Sequence, residues 1–131
     1  MMSIKAQEVS SADLDSIEQT ARDYIDAWLD GDADRMADCL HADLTKRSID
    51  LDSATGRVSV GQMTHREMVE ATATGRGTKI AREYTVTVFD AFRNIATAKV
   101  DSARYVDYLH IGRFEDRWRI VNVLWEPLTR D

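Results

Sequence analysis

The chain has 131 residues, 44% hydrophobic and 31% charged, with a formal net charge of −6. That length suits one domain around one core. The acidic balance, with no Lys/Arg cluster, argues against a nucleic-acid partner, and no apolar run approaches the ~18 residues a membrane helix needs.

A short flexible arm is expected over residues 1–11, followed by one domain over 12–131. The opening "MMSIKAQEVSSADLDS" has no apolar run of the secretory kind, so a cytoplasmic protein is expected. The first helix is predicted from Ala12 to Asp30. Ser10 or Ser11 can cap it, and Asp13, Asp15 and Glu18 place negative charge at its positive end. Leu14, Ile17, Ala21, Tyr24, Ile25 and Trp28 repeat at the three-to-four spacing of one apolar face. Gly31 suits the left-handed residue that ends a helix, and Asp32 can cap a short second helix carrying Met36, Cys39 and Leu40. Cys39 is the only cysteine, which excludes an intrachain disulfide, and it reads as a small buried side chain.

"HADLTKRSIDL", residues 41–51, reads as a loop entering a strand, with "RVSVG" as its hairpin partner and a turn near Ser53–Gly56. Thr64 and Glu67 form a T-x-x-E capping box, flanked by Met63 and Met68 as a hydrophobic staple, so a third helix starts there. It ends at Gly75 or Gly77, and "TGRGTK" reads as a flexible loop or lid. Four strands follow, roughly Ala81–Phe92, Ile95–Arg104, Tyr105–Phe114 and Arg117–Glu126, with turns at Arg93–Asn94 and Glu115–Asp116. Helices early and strands late imply an α+β fold with an antiparallel sheet. Trp118, Ile120 and Leu124 alternate one way, with Asn122 among them, and Val121, Val123 and Trp125 the other. A sheet apolar on both faces needs two covers: the helices and, most simply, a second copy of the chain.

Helices followed by a sheet that closes on a W-x-I-x-x-x-x-W strand resemble the NTF2-like superfamily. "YIDAWLDGDADRMADCLHADLTKRSI" and "NIATAKVDSARYVDYLHIGRFEDRWRIVNVLWEP" are similar to its SnoaL-like branch and the one labelled putative lumazine-binding. The resemblance implies an NTF2-like cone, or cystatin-like roll. Three N-terminal helices pack on a strongly curved antiparallel sheet, with an apolar pocket between helix one and the concave face. It also implies a homodimer through the convex face. Ketosteroid isomerase, in the same superfamily, uses a tyrosine on helix one, an aspartate base on the first strand and a protonated aspartic acid on the penultimate strand. By alignment Tyr24 falls on the tyrosine and His110 on the second acid. Ser48 falls on the base, with Arg47 or Asp50 as alternatives after a small slip. A serine cannot abstract a carbon-bound proton unaided.

The fold hosts many chemistries, so function has to be read from the site. The leading expectation is a domain that binds a small, mostly apolar molecule with one polar end. The candidate contacts are Tyr24, Trp28, Arg47, Ser48, Tyr108, His110, Val123 and Trp125. Of Lys46 and Arg47 only one can face the pocket, and which one is open; an inward arginine would suit a carboxylate or phosphate. The second expectation is a SnoaL-like cyclase, isomerase or dehydratase, with His110 as acid/base and Tyr24 as electrostatic stabiliser. The third is a dimeric interaction module without a ligand. Asp107 alternates with His110 and is expected at the surface or an interface. His41, His65 and His110 are too scattered in sequence to suggest a metal set, and neither metal nor cofactor is expected.

Overall fold

The computed structural model describes residues 9–129. Helix α1, Ser11–Asp30, starts where the Ser10 side chain accepts the Asp13 amide and the Asp13 carboxylate accepts the Ser10 amide. This reciprocal cap satisfies amides that the first turn leaves without carbonyl partners. Gly31 ends α1 at φ 66°, and Asp32 caps α2, Ala33–Cys39. Of the arm expected over residues 1–11, residues 1–8 lie outside the described residues, Val9 is buried, and Ser10 and Ser11 already belong to the cap and helix.

Strand β1, Leu40–Leu51, begins directly after α2, so the segment read as a loop is extended from its first residue. It pairs antiparallel with β2, Val58–Thr64. Helix α3, His65–Ala73, carries the Thr64/Glu67 capping box as expected. The segment read as a flexible loop or lid instead forms a 3-10 turn, Arg76–Lys79. Then β3 (Tyr84–Phe92), β4 (Ile95–Ser102), β5 (Tyr105–Phe114) and β6 (Arg117–Pro127) form a meander.

The six strands make one curved, unclosed sheet in the order β2-β1-β6-β5-β4-β3. It is mixed, because β1 and β6 run parallel. The expectation of an antiparallel sheet fails at this one pairing for a physical reason. Tight turns reveal only neighbouring antiparallel strands, whereas β1 and β6 are joined through most of the chain and no turn constrains their direction.

Helix α1 lies across β3, β4 and β6, while α3 packs on β1. Ile17, Ala21, Tyr24 and Ile25 of α1 are buried with Ala96, Ala98 and Val100 of β4, Leu109 and Ile111 of β5, and Ile120 and Val123 of β6. Each large aliphatic side chain so buried contributes about 1.5–3 kcal/mol. No helix among the described residues is long and apolar enough to cross a membrane.

Strict alternation breaks on β6. His110 pairs with Asn122 but Ile111 pairs with Ile120, so Val121 is an extra residue in the ladder. Such a bulge shifts the facing of everything beyond it. Trp118, Ile120 and Val123 are therefore all buried, while Leu124, expected to share a face with Trp118, is exposed.

Candidate functional site

Alternation on β1 turns Leu44, Lys46 and Ser48 inward and leaves Arg47 exposed. Lys46 is thus the inward basic residue. Its residue exposure is 8%, and its Nζ donates to Tyr24 Oη at 2.8 Å and to Met68 Sδ at 3.5 Å. It also stands 5.3 Å from the Tyr24 ring centre and 5.2 Å from that of Trp125.

Tyr24 sits on the buried face of α1 at 2% exposure. Its hydroxyl donates to Asp107 Oδ2 at 2.7 Å. Asp107 is 4% exposed, on the same face of β5 as Leu109 and Ile111 and opposite Val100 of β4. A lysine, a tyrosine and an aspartate from β1, α1 and β5 are thus joined by two hydrogen bonds with Tyr24 in the middle.

Burial governs the protonation of all three, since removal from water penalises the charged form. It pushes the Tyr24 hydroxyl well above its usual 10, and Asp107 alongside adds to the rise. It raises the Asp107 carboxyl, against the opposing pull of Lys46 and the Tyr24 hydrogen bond. It lowers the Lys46 amine, although Asp107 pulls the other way. Lysine and aspartate are both driven toward their neutral forms.

The three groups line a cavity of about 240 Å³. Ile25, Met63, Met68 and Ala71 supply aliphatic and thioether wall, and Trp28, Tyr105 and Trp125 aromatic wall. Tyr105 and Trp125 meet edge to face at 5.3 Å. Arg76, an exposed residue of the 3-10 turn, also lines the cavity, with its guanidinium 5.9 Å from the Trp28 ring. The Trp28 indole N–H is buried and has no hydrogen-bond partner among the described residues.

Of the residues singled out in the sequence, Tyr24, Trp28 and Trp125 meet at this cavity. Ser48 is buried beside Gly61 and Val123 is in the core, and neither lines the cavity. Arg47, Tyr108 and His110 point to the other side and are exposed. His110 lines a wider depression of about 670 Å³ on that outer face, where its Nδ1 is 3.4 Å from Asn122 Nδ2. Alternation on β5 separates Asp107 from His110, as expected, and it is the Asp107 face that turns to the cavity. Leu109 and Ile111 marked the buried face, and Asp107 lies on it rather than at the surface. Arg76, Tyr105, Met63 and Met68 carried no comparable signal as wall residues.

No group of three or more His, Cys, Asp or Glu side chains among the described residues is arranged to hold a metal ion. Cys39 is a free thiol whose pKa burial raises to about 12, which makes it a poor nucleophile.

This architecture, three helices on a curved sheet with a cavity beneath α1, is that of the NTF2-like superfamily. Within it, the family described as "Putative lumazine-binding" matches residues 12–126, and the chain belongs to that family. It superimposes on an NTF2-like protein of unknown function from Methylobacillus flagellatus KT with a TM-score of 0.71, at 18% identity, covering 98% of this chain and 100% of that one. A ketosteroid isomerase-like protein from Erwinia carotovora atroseptica SCRI1043 is similar over 92% of this chain and 99% of its own, at 12% identity and a TM-score of 0.62. A domain with a cystatin-like fold from Nostoc punctiforme PCC 73102 is similar at 16% identity, over 94% and 80% of the two chains, with a TM-score of 0.65. At these identities the likeness is one of fold. No curated protein matches the chain.

Proposed function

We propose that this chain is a small-molecule-binding domain whose ligand is mostly apolar with one polar end. The apolar body lies against Trp28, Met63, Met68 and Trp125, and the polar end meets Lys46 and Tyr24. One observation carries this reading: a buried lysine, tyrosine and aspartate stand hydrogen-bonded at the wall of an apolar cavity. Burying such groups is costly, and convergent polar groups of perturbed pKa in an apolar pocket mark a binding site more often than a structural core. The unpartnered Trp28 N–H is a further donor for a bound molecule. The family's description names lumazine. A flat heterocycle with ring carbonyls is compatible with aromatic walls and with the Lys46 and Trp28 N–H donors, so lumazine is a natural compound to titrate.

The test is fluorescence titration with 1-anilinonaphthalene-8-sulfonate, which is apolar with one anionic end, followed by displacement with lumazine. Saturable binding to the folded chain, weakened by Trp125→Ala and by Lys46→Met, is the expected result. Binding indifferent to both substitutions, or no binding, sinks the reading.

A second observation favours self-association. Val60, Leu124, Tyr108 and Phe89 are exposed on the outer sheet face at 59%, 47%, 50% and 54%. Tyr108 is paired with Leu124 and stacked on Phe89 at 6.4 Å. Such an apolar stripe suits a homodimer through the outer face. Light scattering should give a dimer mass that Leu124→Asp converts to a monomer; a wild-type monomer at every concentration rules it out. A cytoplasmic setting goes with this reading.

A further inference from the structure

We infer that Lys46 is a carbonyl-trapping amine, which condenses with an aldehyde or ketone held in the cavity to form an imine. This rests on the cavity being a ligand site and narrows the ligand class to compounds with a reactive carbonyl.

The surroundings of Nζ carry the inference. An ammonium has three protons to place, and a buried one needs three acceptors. The partners of Nζ among the described residues are Tyr24 Oη at 2.8 Å and Met68 Sδ at 3.5 Å, the second a weak acceptor. No ion pair of Lys46 with a carboxylate is present among the described residues, and Asp107 is reached through Tyr24. The amine is held between the rings of Tyr24 and Trp125. A site built for a fixed cation would bring an anion into contact. This one provides one hydroxyl, one weak sulfur acceptor and two ring faces, which leaves an ammonium proton without a strong acceptor and a neutral amine with its lone pair free. Burial shifts the amine's proton affinity in the same direction. Desolvated lysines of this kind are the ones that add to carbonyls.

The step balances without any further reactant. The Nζ lone pair attacks the carbonyl carbon, forming a C–N bond as the C=O π bond opens onto oxygen. The nitrogen's two protons pass to that oxygen, which leaves as water, and a C=N bond remains. Tyr24 Oη, hydrogen-bonded to Nζ, is placed to hand these protons across. Asp107, hydrogen-bonded to that hydroxyl, is a positioning residue that aims it.

The experiment incubates the full chain with benzaldehyde and cyanoborohydride near neutral pH, then maps benzyl adducts by peptide mass spectrometry. Each pKa unit lost by an amine raises its neutral fraction about tenfold. Lys46 should be modified faster than Lys79 and Lys99, with a rate that saturates in benzaldehyde as the cavity fills. Tyr24→Phe should slow Lys46 modification while leaving Lys79 and Lys99 unchanged. Modification of Lys46 no faster than of those two overturns the inference, whatever the cause. Displacement of the anilinonaphthalene dye by benzaldehyde separates the cases. Displacement without an adduct on Lys46 ends the imine proposal and leaves the ligand site standing. Displacement by benzoate but not by benzaldehyde assigns Lys46 to holding an anion, and also overturns it. If the dye itself never binds, both readings fall.

Discussion

Tyr24 Oη donates to Asp107 Oδ2 at 2.7 Å across 83 residues of chain, and the same oxygen accepts from Lys46 Nζ at 2.8 Å. One hydroxyl thus satisfies an acid and an amine that do not reach each other. The burial of Lys46 and Asp107 depends on this bridge.

Removing the bridge leaves two buried polar groups short of a partner. Tyr24→Phe is expected to destabilise the fold by about 1–3 kcal/mol, the usual penalty for such orphaned groups. In urea denaturation the loss should shrink when Asp107→Asn or Lys46→Met is already present, because the orphan is then gone or uncharged. Additive effects of the three substitutions would contradict the bridging role.

The pH dependence of stability follows from the two opposed shifts. Lys46 has a folded pKa below 10.5, so the unfolded chain binds the extra proton between the lowered value and 10.5. Stability therefore rises with pH across that window. Asp107 has a folded pKa above 3.8, so the folded chain holds the extra proton between 3.8 and the raised value. Its contribution is present below 3.8 and fades as pH rises through that window. Facing these groups, the Tyr24 hydroxyl stays neutral throughout because its own pKa lies well above 10. Thermal melts across pH should show the alkaline-side rise vanish in Lys46→Met and the acid-side decline vanish in Asp107→Asn. The opposite slopes in the wild type would refute both assignments.

Gly77 lies against the backbone of Trp28. A Cβ there would collide with the Trp28 carbonyl oxygen and stand 2.8 Å from its Cδ1. Backbone cannot swing aside as a flexible side chain does, so Gly77→Ala should cost about 1–3 kcal/mol. It should also displace Trp28 and weaken dye binding more than Gly56→Ala does, although the alanine at position 56 would be strained at φ 72°. Equal dye affinity in the two variants would show that the 3-10 turn does not brace this wall.

His110→Ala, on the outer face, is expected to leave dye affinity unchanged and stability within about 0.5 kcal/mol. Asp107→Asn, three residues earlier on the same strand, should change both. A titration in which His110→Ala abolishes binding while Asp107→Asn is silent would move the ligand site to the outer depression.

What was legible in the sequence was local. The capping box at Thr64/Glu67 is read within four residues, and it forms; of Ser10 and Ser11, both possible caps of α1, Ser10 takes the place, with Asp13 closing a second box. The turns at Arg93 and at Glu115–Asp116 adopt the positive φ that a tight reversal demands. Helical and strand periodicities place Tyr24, Trp28 and Trp125 on apolar faces, and the family resemblance implies that those faces line a pocket; all three meet at the cavity. Illegible were the features that need distant strands brought together. The extra residue at Val121 leaves no mark in a run of "IVNV", and the direction of β1 against β6 is set by no turn. Asp107 was misread because a resemblance to a relative's acid outweighed its own neighbours, Leu109 and Ile111. Lys46 was recognised as an alternative to Arg47, but parity alone does not say which side of a strand is wet.

The parallel pairing of β1 with β6 also dictates when this protein becomes one. During synthesis β1 and β2 leave the ribosome long before the strand that flanks β1, and their hairpin has an open edge until residues 120–125 arrive. Closing that span carries the entropy of a loop of more than half the chain, and long-range pairing of this kind folds late. Lys46 belongs to the early part, Asp107 and Trp125 to the late part. The cavity therefore closes late: a nascent chain ending before β6 carries the amine, Tyr24 and the methionine wall but lacks Trp125, one of the two rings that hold the amine.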